Sequence, residues 1–228
     1  MNLLIVEDEY SILRELADFF KSEHYTVEAV DTFNAAEQKL AVYTYDCMIV
    51  DLMLPDGDGL DLIRQVKQRN LPMSVIVISA KGSTEEKIDG LDSGADDYLA
   101  KPFSLAELNS RLRAVIRRRC FGGLQELVVG KMRIYPDGRR VFVGKNELPL
   151  TPKEFDLLLY FVTNKGRVLS KESIVEHLWG DSMGITADSF DFIYTHIRNM
   201  RHKMDQFGIG SYIRTIYSVG YKFVGETR

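Results

Sequence analysis

Asp51 ends an apolar run, Cys47-Met48-Ile49-Val50, and is followed by the turn-rich stretch Leu52-Met53-Leu54-Pro55-Asp56-Gly57. Short apolar runs stopped by turn signals read as buried parallel strands, and in open α/β sheets chemistry gathers beyond the strands' carboxyl ends. Two more runs end in charge. Leu3-Leu4-Ile5-Val6 leads into Glu7-Asp8, and Asp97-Tyr98-Leu99-Ala100 leads into Lys101-Pro102. Each of these charges alone would be an ordinary surface group. Three acids and one lysine at one edge of one sheet make a site for a divalent cation and a phosphoryl group.

A chain of 228 residues is comfortable for two domains. With 45% hydrophobic and 27% charged residues it has enough apolar surface for well-packed cores, which excludes a disordered chain. No apolar stretch approaches the roughly 18 residues needed to cross a bilayer. The N-terminus runs straight into a strand and then acids, without the pattern of a signal peptide. Cys47 and Cys120, the only cysteines, fit neither a disulfide framework nor a CxxC motif, so a cytoplasmic protein without membrane contact is expected. Charge divides unevenly. Residues 1–120 hold 21 acids against 14 Lys/Arg, a balance of −7, and the remainder holds 12 against 15, a balance of +3. The acidic half suits a cation site and the basic half tolerates nucleic acid.

Strand and helix signals alternate through the first half. Leu3–Val6 is followed by a helical pattern over Ser11–Ser22, Thr26–Val30 reads as a strand, and Thr32 caps a helix through Leu40. After the Asp51 strand, Leu60, Ile63 and Val66 share a helix face, Val75–Ile78 is the most apolar strand, and weak helical signals cover Thr84–Leu91. Ser104 caps a last helix with Leu105, Leu108, Leu112 and Val115 inward. Five βα units imply a doubly wound parallel sheet covered on both faces. Gly122-Gly123 marks a short linker, and Arg117-Arg118-Arg119 reads as the solvated end of the preceding helix.

The second half has short strands around Val128–Tyr135, Arg140–Val143 and Glu147–Leu150, separated by Pro136-Asp137-Gly138 and Gly144. Thr151-Pro152-Lys153-Glu154 is a helix start with Thr as N-cap, Pro at the first position and Glu at the third. Ser170 begins a second helix, a loop covers Gly180–Thr186, and Asp188 caps a third helix to Met204. A hairpin of Tyr212–Tyr217 and Tyr221–Val224 closes the chain. Three helices and a terminal hairpin describe a winged helix-turn-helix. On the third helix Phe190, Ile193, Ile197, Met200 and Met204 must face the core, which turns Asp191, Tyr194, Thr195, Arg198, Asn199, Arg201 and His202 outward. Such a face is often merely solvated. Here the preceding helix-turn and a hairpin carrying Arg214 and Lys222 favour DNA.

Taken together, these motifs resemble the OmpR/PhoB family of two-component response regulators over nearly the whole chain. The first half resembles the receiver domain, through Val6-Glu7-Asp8-Glu9, the 51–59 motif, Ser79-Ala80, Gly94-Ala95-Asp96-Asp97-Tyr98 and Lys101-Pro102-Phe103. The second half resembles the effector domain through Leu150-Thr151-Pro152-Lys153-Glu154-Phe155 and Val219-Gly220-Tyr221-Lys222-Phe223. The resemblance implies a flavodoxin-like receiver over 1–119, a linker over 120–126 and a winged-helix DNA-binding domain over 127–228. It makes Asp51 the phosphoacceptor for a sensor histidine kinase, aided by Ser79 and Lys101. Mg²⁺, with Mn²⁺ as a substitute, would be held by Asp8, Asp51 and the Met53 carbonyl, with Glu7 acting through water. The bond before Pro102 is cis in the family.

Ser79 and Tyr98 match the family's switch pair, in which the Ser hydroxyl turns to the phosphoryl group and the Tyr ring fills the vacated space. Lys87, Asp97, Glu107, Arg111 and Arg118 match a dimer face, with Lys87–Glu107 and Asp97–Arg111 as pairs between subunits. Dimerisation on phosphorylation would bring two effector domains to adjacent half-sites of promoter DNA, where RNA polymerase is a further partner. For DNA, Tyr194, Thr195, His196, Arg198, Asn199, Arg201, Arg214 and Lys222 are the expected contacts. This chain departs from the family at the wing, where Tyr217-Ser218 replaces a frequent Arg-Gly, and at Asn199, which favours adenine. Two other readings remain. One is a regulator with a silent receiver. The other is an aspartyl-phosphate phosphatase, which wants a second Asp two residues after the nucleophile where this chain has Met53.

Overall fold

Five short runs of β-branched and aliphatic residues build the first sheet: β1 (Asn2–Val6), β2 (Thr26–Val30), β3 (Cys47–Asp51), β6 (Ser74–Ser79) and β7 (Asp97–Ala100). All are parallel, in the order β2-β1-β3-β6-β7. Every residue of β1, β3 and β6 is buried, as expected for central strands covered on both faces. The covering helices are α1 (Tyr10–Ser22), α2 (Phe33–Val42), α3 (Gly59–Gln68), α4 (Thr84–Asp92) and α5 (Leu105–Phe121). In this computed structural model residues 1–80, 83–180 and 187–225 are described, save the side chains of 187–189. The chain separates into two compact units, Met1–Arg119 and Cys120–Arg228.

The helices start where the cap residues stand. Thr32 accepts from the Ala35 N–H, Ser104 from that of Glu107, and Ser83 forms a reciprocal capping box with Glu86. Each such cap contributes about 1 kcal/mol. Between β3 and α3 lies a small hairpin, β4 (Met53–Leu54) with β5 (Gly57–Asp58), which the sequence reading treats only as a turn. Helix α5 runs to Phe121, two residues into the expected linker, because Phe121 is itself buried. Gly122 and Gly123 follow with φ of 58° and 83°, a backbone that favours glycine.

The second unit opens with an antiparallel sheet of β8 (Leu127–Val129), β9 (Met132–Tyr135), β10 (Arg140–Val143) and β11 (Asn146–Glu147). Strand β11 is shorter than the expected 147–150 segment and starts one residue earlier, at Asn146. Then come α6 (Pro152–Thr163), β12 (Val168–Ser170), α7 (Lys171–Trp179), α8 (Ala187–Asp205), a 3₁₀ turn (Gly210–Tyr212), β13 (Ile213–Ile216) and β14 (Gly220–Phe223). Thr151 and Glu154 form the anticipated capping box. β12 was not anticipated; it pairs with β14 and makes the terminal hairpin three-stranded. Ile193, Ile197, Met200 and Met204 are buried along one side of α8, and Phe190 is half-buried. The loop expected through Thr186 and the Asp188 cap lie outside the described residues.

Gly59 shows how tightly the Asp51 strand is followed by its helix. A Cβ there would sit 2.3 Å from the Asp51 carbonyl oxygen and 2.8 Å from the Leu52 Cα. Gly59→Ala should therefore cost about 1–3 kcal/mol in urea unfolding of the first unit. An unchanged midpoint would show that the loop yields freely.

Candidate functional site

Glu7, Asp51 and Lys101 follow or end the parallel strands β1, β3 and β7, with β6 lying between β3 and β7, so parallel register brings them to one edge of the sheet. The Lys101 ammonium donates to Asp51 Oδ2 at 2.6 Å and to Glu7 Oε1 at 2.8 Å. Its backbone N–H donates to the Ser79 carbonyl at 2.8 Å, and the Lys101–Pro102 bond is cis. Asp51 Oδ1 accepts from the Met53 N–H at 3.1 Å. Glu7 is fully buried and Asp51 is 4% exposed, while Asp8 is exposed. Carboxyl oxygens of Glu7, Asp8 and Asp51 lie within 4.8 Å of one another.

Burial pushes the Glu7 carboxyl above its usual range, against the hydrogen bond from Lys101, and the Asp51 charge adds to the rise. Burial pulls the Lys101 ammonium down, but the bonds to Asp51 and Glu7 outweigh it and the net shift is upward. Lys101 thus stays charged at neutral pH. Glu7 Oε2 lies 2.7 Å from Lys101 Nζ, so the ammonium is ion-paired with both oxygens of this carboxyl. A buried carboxylate beside two further carboxylates fits a hard divalent cation that keeps part of its water shell.

Ser79 ends β6 and is fully buried; Tyr98, opposite Val77 in β7, is 8% exposed. Their hydroxyls are hydrogen-bonded, and burial, only partly offset by this bond, raises the phenol's pKa. The tyrosine therefore lies inward. It reaches that position beside Gly90, where a Cβ would stand 2.8 Å from Tyr98 Cδ2. The sequence reading missed Gly90, although a glycine inside a helical stretch is itself a signal of close packing.

On the α4 and α5 faces Arg111 donates to Asp97 at 3.1 and 3.2 Å and to Glu107 at 2.9 and 3.1 Å. Asp97 and Glu107 thus share one guanidinium within the chain. Lys87 is exposed, and Arg118 donates to the Asp96 carbonyl at 3.4 Å. Ile88 and Leu91 of α4 are also half exposed, an apolar component overlooked in a helix with weak periodicity.

On α8 the side chains of Tyr194, Thr195, Arg198 and Asn199 are exposed, as are those of Arg214 on β13 and, partly, Lys222 on β14. His196 packs within its own unit: it is half-buried with its ring 5.8 Å from that of Trp179, and burial holds its pKa below the usual imidazole value. Arg201 also turns toward its own unit. It donates to the Ile213 carbonyl at 2.8 Å and to Thr215 Oγ1 at 3.1 Å, and stands 5.5 Å from the Tyr221 ring. The 3-4-3-4 pattern places it outward, but a long side chain on α8 can reach the adjacent β13.

Replacing Lys101 by Met would leave two buried carboxylates without their cation. Unfolding at pH 7 without divalent ions should show a loss of about 3 kcal/mol. A loss near zero would mean that the cluster behaves like exposed surface pairs.

Residues 3–113 match the response regulator receiver domain family, and residues 145–223 match the family described as transcriptional regulatory protein, C terminal. The chain is 36% identical over 226 residues to the transcriptional regulatory protein BasR of Escherichia coli, covering 99% of each. It is 37% identical to the response regulator ArlR of Staphylococcus haemolyticus, covering 96% of this chain and 98% of that one. The receiver domain of the Francisella response regulator 1452 superposes with a TM-score of 0.50 at 33% identity, covering 51% of this chain and 97% of that one. No helix among the described residues is long and apolar enough to cross a membrane. With an acid-and-lysine site on a five-stranded parallel sheet and a winged helix after it, the chain belongs to the OmpR/PhoB-type response regulators of two-component systems, the DNA-binding regulators of transcription.

Proposed function

We propose that Asp51 accepts a phosphoryl group from the phosphohistidine of a sensor kinase. A carboxylate oxygen forms the new O–P bond, the P–N bond breaks, and the departing imidazole nitrogen is left to the kinase. Asp8, Asp51 and the Met53 carbonyl, with Glu7 through water, would hold Mg²⁺, which would supply the charge neutralisation that lets one anion approach another. Lys101 then exchanges its bond to Asp51 for one to a phosphoryl oxygen. The observation that carries this reading is the buried Glu7–Lys101–Asp51 cluster, with the Asp8 carboxyl gathered beside it. Outside such a site, that arrangement of charge has no evident use.

The acyl phosphate biases a two-state element in this reading. Ser79 turns from Tyr98 to the phosphoryl group, and Tyr98 holds the inward position that Gly90 leaves open. The shift can be no larger than the difference in phosphoryl contacts between the two states. Dimerisation through α4, β7 and α5 would exchange Arg111's neighbours for those of a second copy, with Asp97–Arg111 and Lys87–Glu107 setting register. Such exposed pairs contribute roughly 0–1 kcal/mol each, so Ile88 and Leu91 supply the apolar area. Promoter DNA is then met by Tyr194, Thr195, Arg198 and Asn199 on α8, with Arg214 and Lys222 on the backbone, and RNA polymerase is the downstream partner. The cytoplasm is the fitting compartment.

Acetyl phosphate with Mg²⁺ should label the protein, and Asp51→Ala should abolish the label; retained labelling would refute the assignment. On promoter fragments recovered by genomic footprinting, phosphodonor should lower the half-saturating protein concentration by roughly a hundredfold, through bivalent attachment. Equal affinity with and without donor would favour a regulator whose receiver is silent.

A further inference from the structure

The loop after Asp51 is tied down at a point remote from the charged cluster. β4 and β5 pair Met53 with Asp58 and Leu54 with Gly57, leaving Pro55 and Asp56 at the tip. The base is fixed by the Gly59 N–H on the Leu52 carbonyl at 3.0 Å and by Asp58 capping α3. Asp56 fastens the tip through its side chain. Its Oδ1 accepts from the Phe33 N–H at 2.6 Å, and its Oδ2 from the Asn34 N–H at 3.0 Å and Asn34 Nδ2 at 2.7 Å. Those two amides belong to the first turn of α2 and have no acceptor within their own helix. Beside the carboxylate, Gly57 lies so close to Phe33 that a Cβ would stand 2.7 Å from the ring. The hairpin is therefore clamped to the α2 N-terminus by charge and by close packing.

We propose that Asp56 is a positioning residue for the cation site: by anchoring the 53–58 hairpin on α2 it fixes the Met53 carbonyl relative to Asp8 and Asp51. The inference rests on the reading of Asp51 as a Mg²⁺-assisted phosphoacceptor. Asp56 touches neither ion nor phosphoryl group and acts through Met53. The Met53 N–H also donates to Asp51 Oδ1, so a loosened hairpin disturbs the acceptor carboxylate as well.

Mg²⁺ binding to the full, unphosphorylated chain can be followed by amide NMR shifts. Asp56→Ala should weaken it roughly tenfold, the size seen when supports of metal ligands are removed. Gly57→Ala, which forces the hairpin off Phe33 with the carboxylate intact, should weaken it in the same direction, and Asp56→Asn, keeping one acceptor oxygen, should recover much of the loss. In acetyl phosphate labelling of Asp56→Ala, the half-saturating Mg²⁺ concentration should rise while the rate at saturating Mg²⁺ returns toward wild type. A folded Asp56→Ala or Gly57→Ala variant with a Mg²⁺ dissociation constant within about twofold of wild type would overturn the proposal. Should the wild type bind Mg²⁺ but take no label at Asp51, the phosphoacceptor reading fails and the positioning result still stands.

Discussion

Two carboxylates lie almost wholly out of water at the carboxyl edge of a parallel sheet, and one ammonium bridges them. Unpaired, each would carry a penalty of several kcal/mol. Sharing one ammonium, they can lie close together, a condition that is unstable without a cation between them. The rest of the first unit serves that condition. Central strands buried on both faces hold the register, Gly59 lets α3 start directly over Asp51, and the Lys101 backbone is bonded to Ser79.

The same arrangement links Asp51 to α4 through neighbouring side chains. Ser79 stands one strand away from Asp51 and one hydroxyl away from Tyr98. Tyr98 in turn meets α4 at Gly90, on the helix that also exposes Ile88 and Leu91. Any rearrangement of the hydroxyl pair must therefore pass through the packing of α4. Packed interiors shift between discrete arrangements rather than bending smoothly, which suits a switch.

In the second unit the output surface depends on stiffness. Arg201 joins α8 to β13, Tyr194 and Tyr221 meet edge to face at 6.5 Å, and β12 adds a third strand to the hairpin. Helix α8 is thus tied by these contacts to the same sheet that carries Arg214 and Lys222. Tyr217, in the turn between β13 and β14, is 90% exposed.

Much of this was legible in the residues themselves. Apolar runs ending in charge gave the strands and the acid-lysine edge, because side chains beyond a buried strand's end have only one direction to face. Thr151-Pro152-Lys153-Glu154 declared its helix through local hydrogen bonding, and the 3-4-3-4 spacing on α8 announced its buried side, since both signals act within a few residues. Long-range contacts were another matter. Asp56 reaches the α2 amides across 22 or more residues, β12 finds β14, and Arg201 finds β13. His196 lies half-buried beside Trp179, where burial disfavours the protonated ring. Periodicity fixes which way a residue leaves its own helix or strand. What waits there is set by chain segments far away, and only folding brings them near.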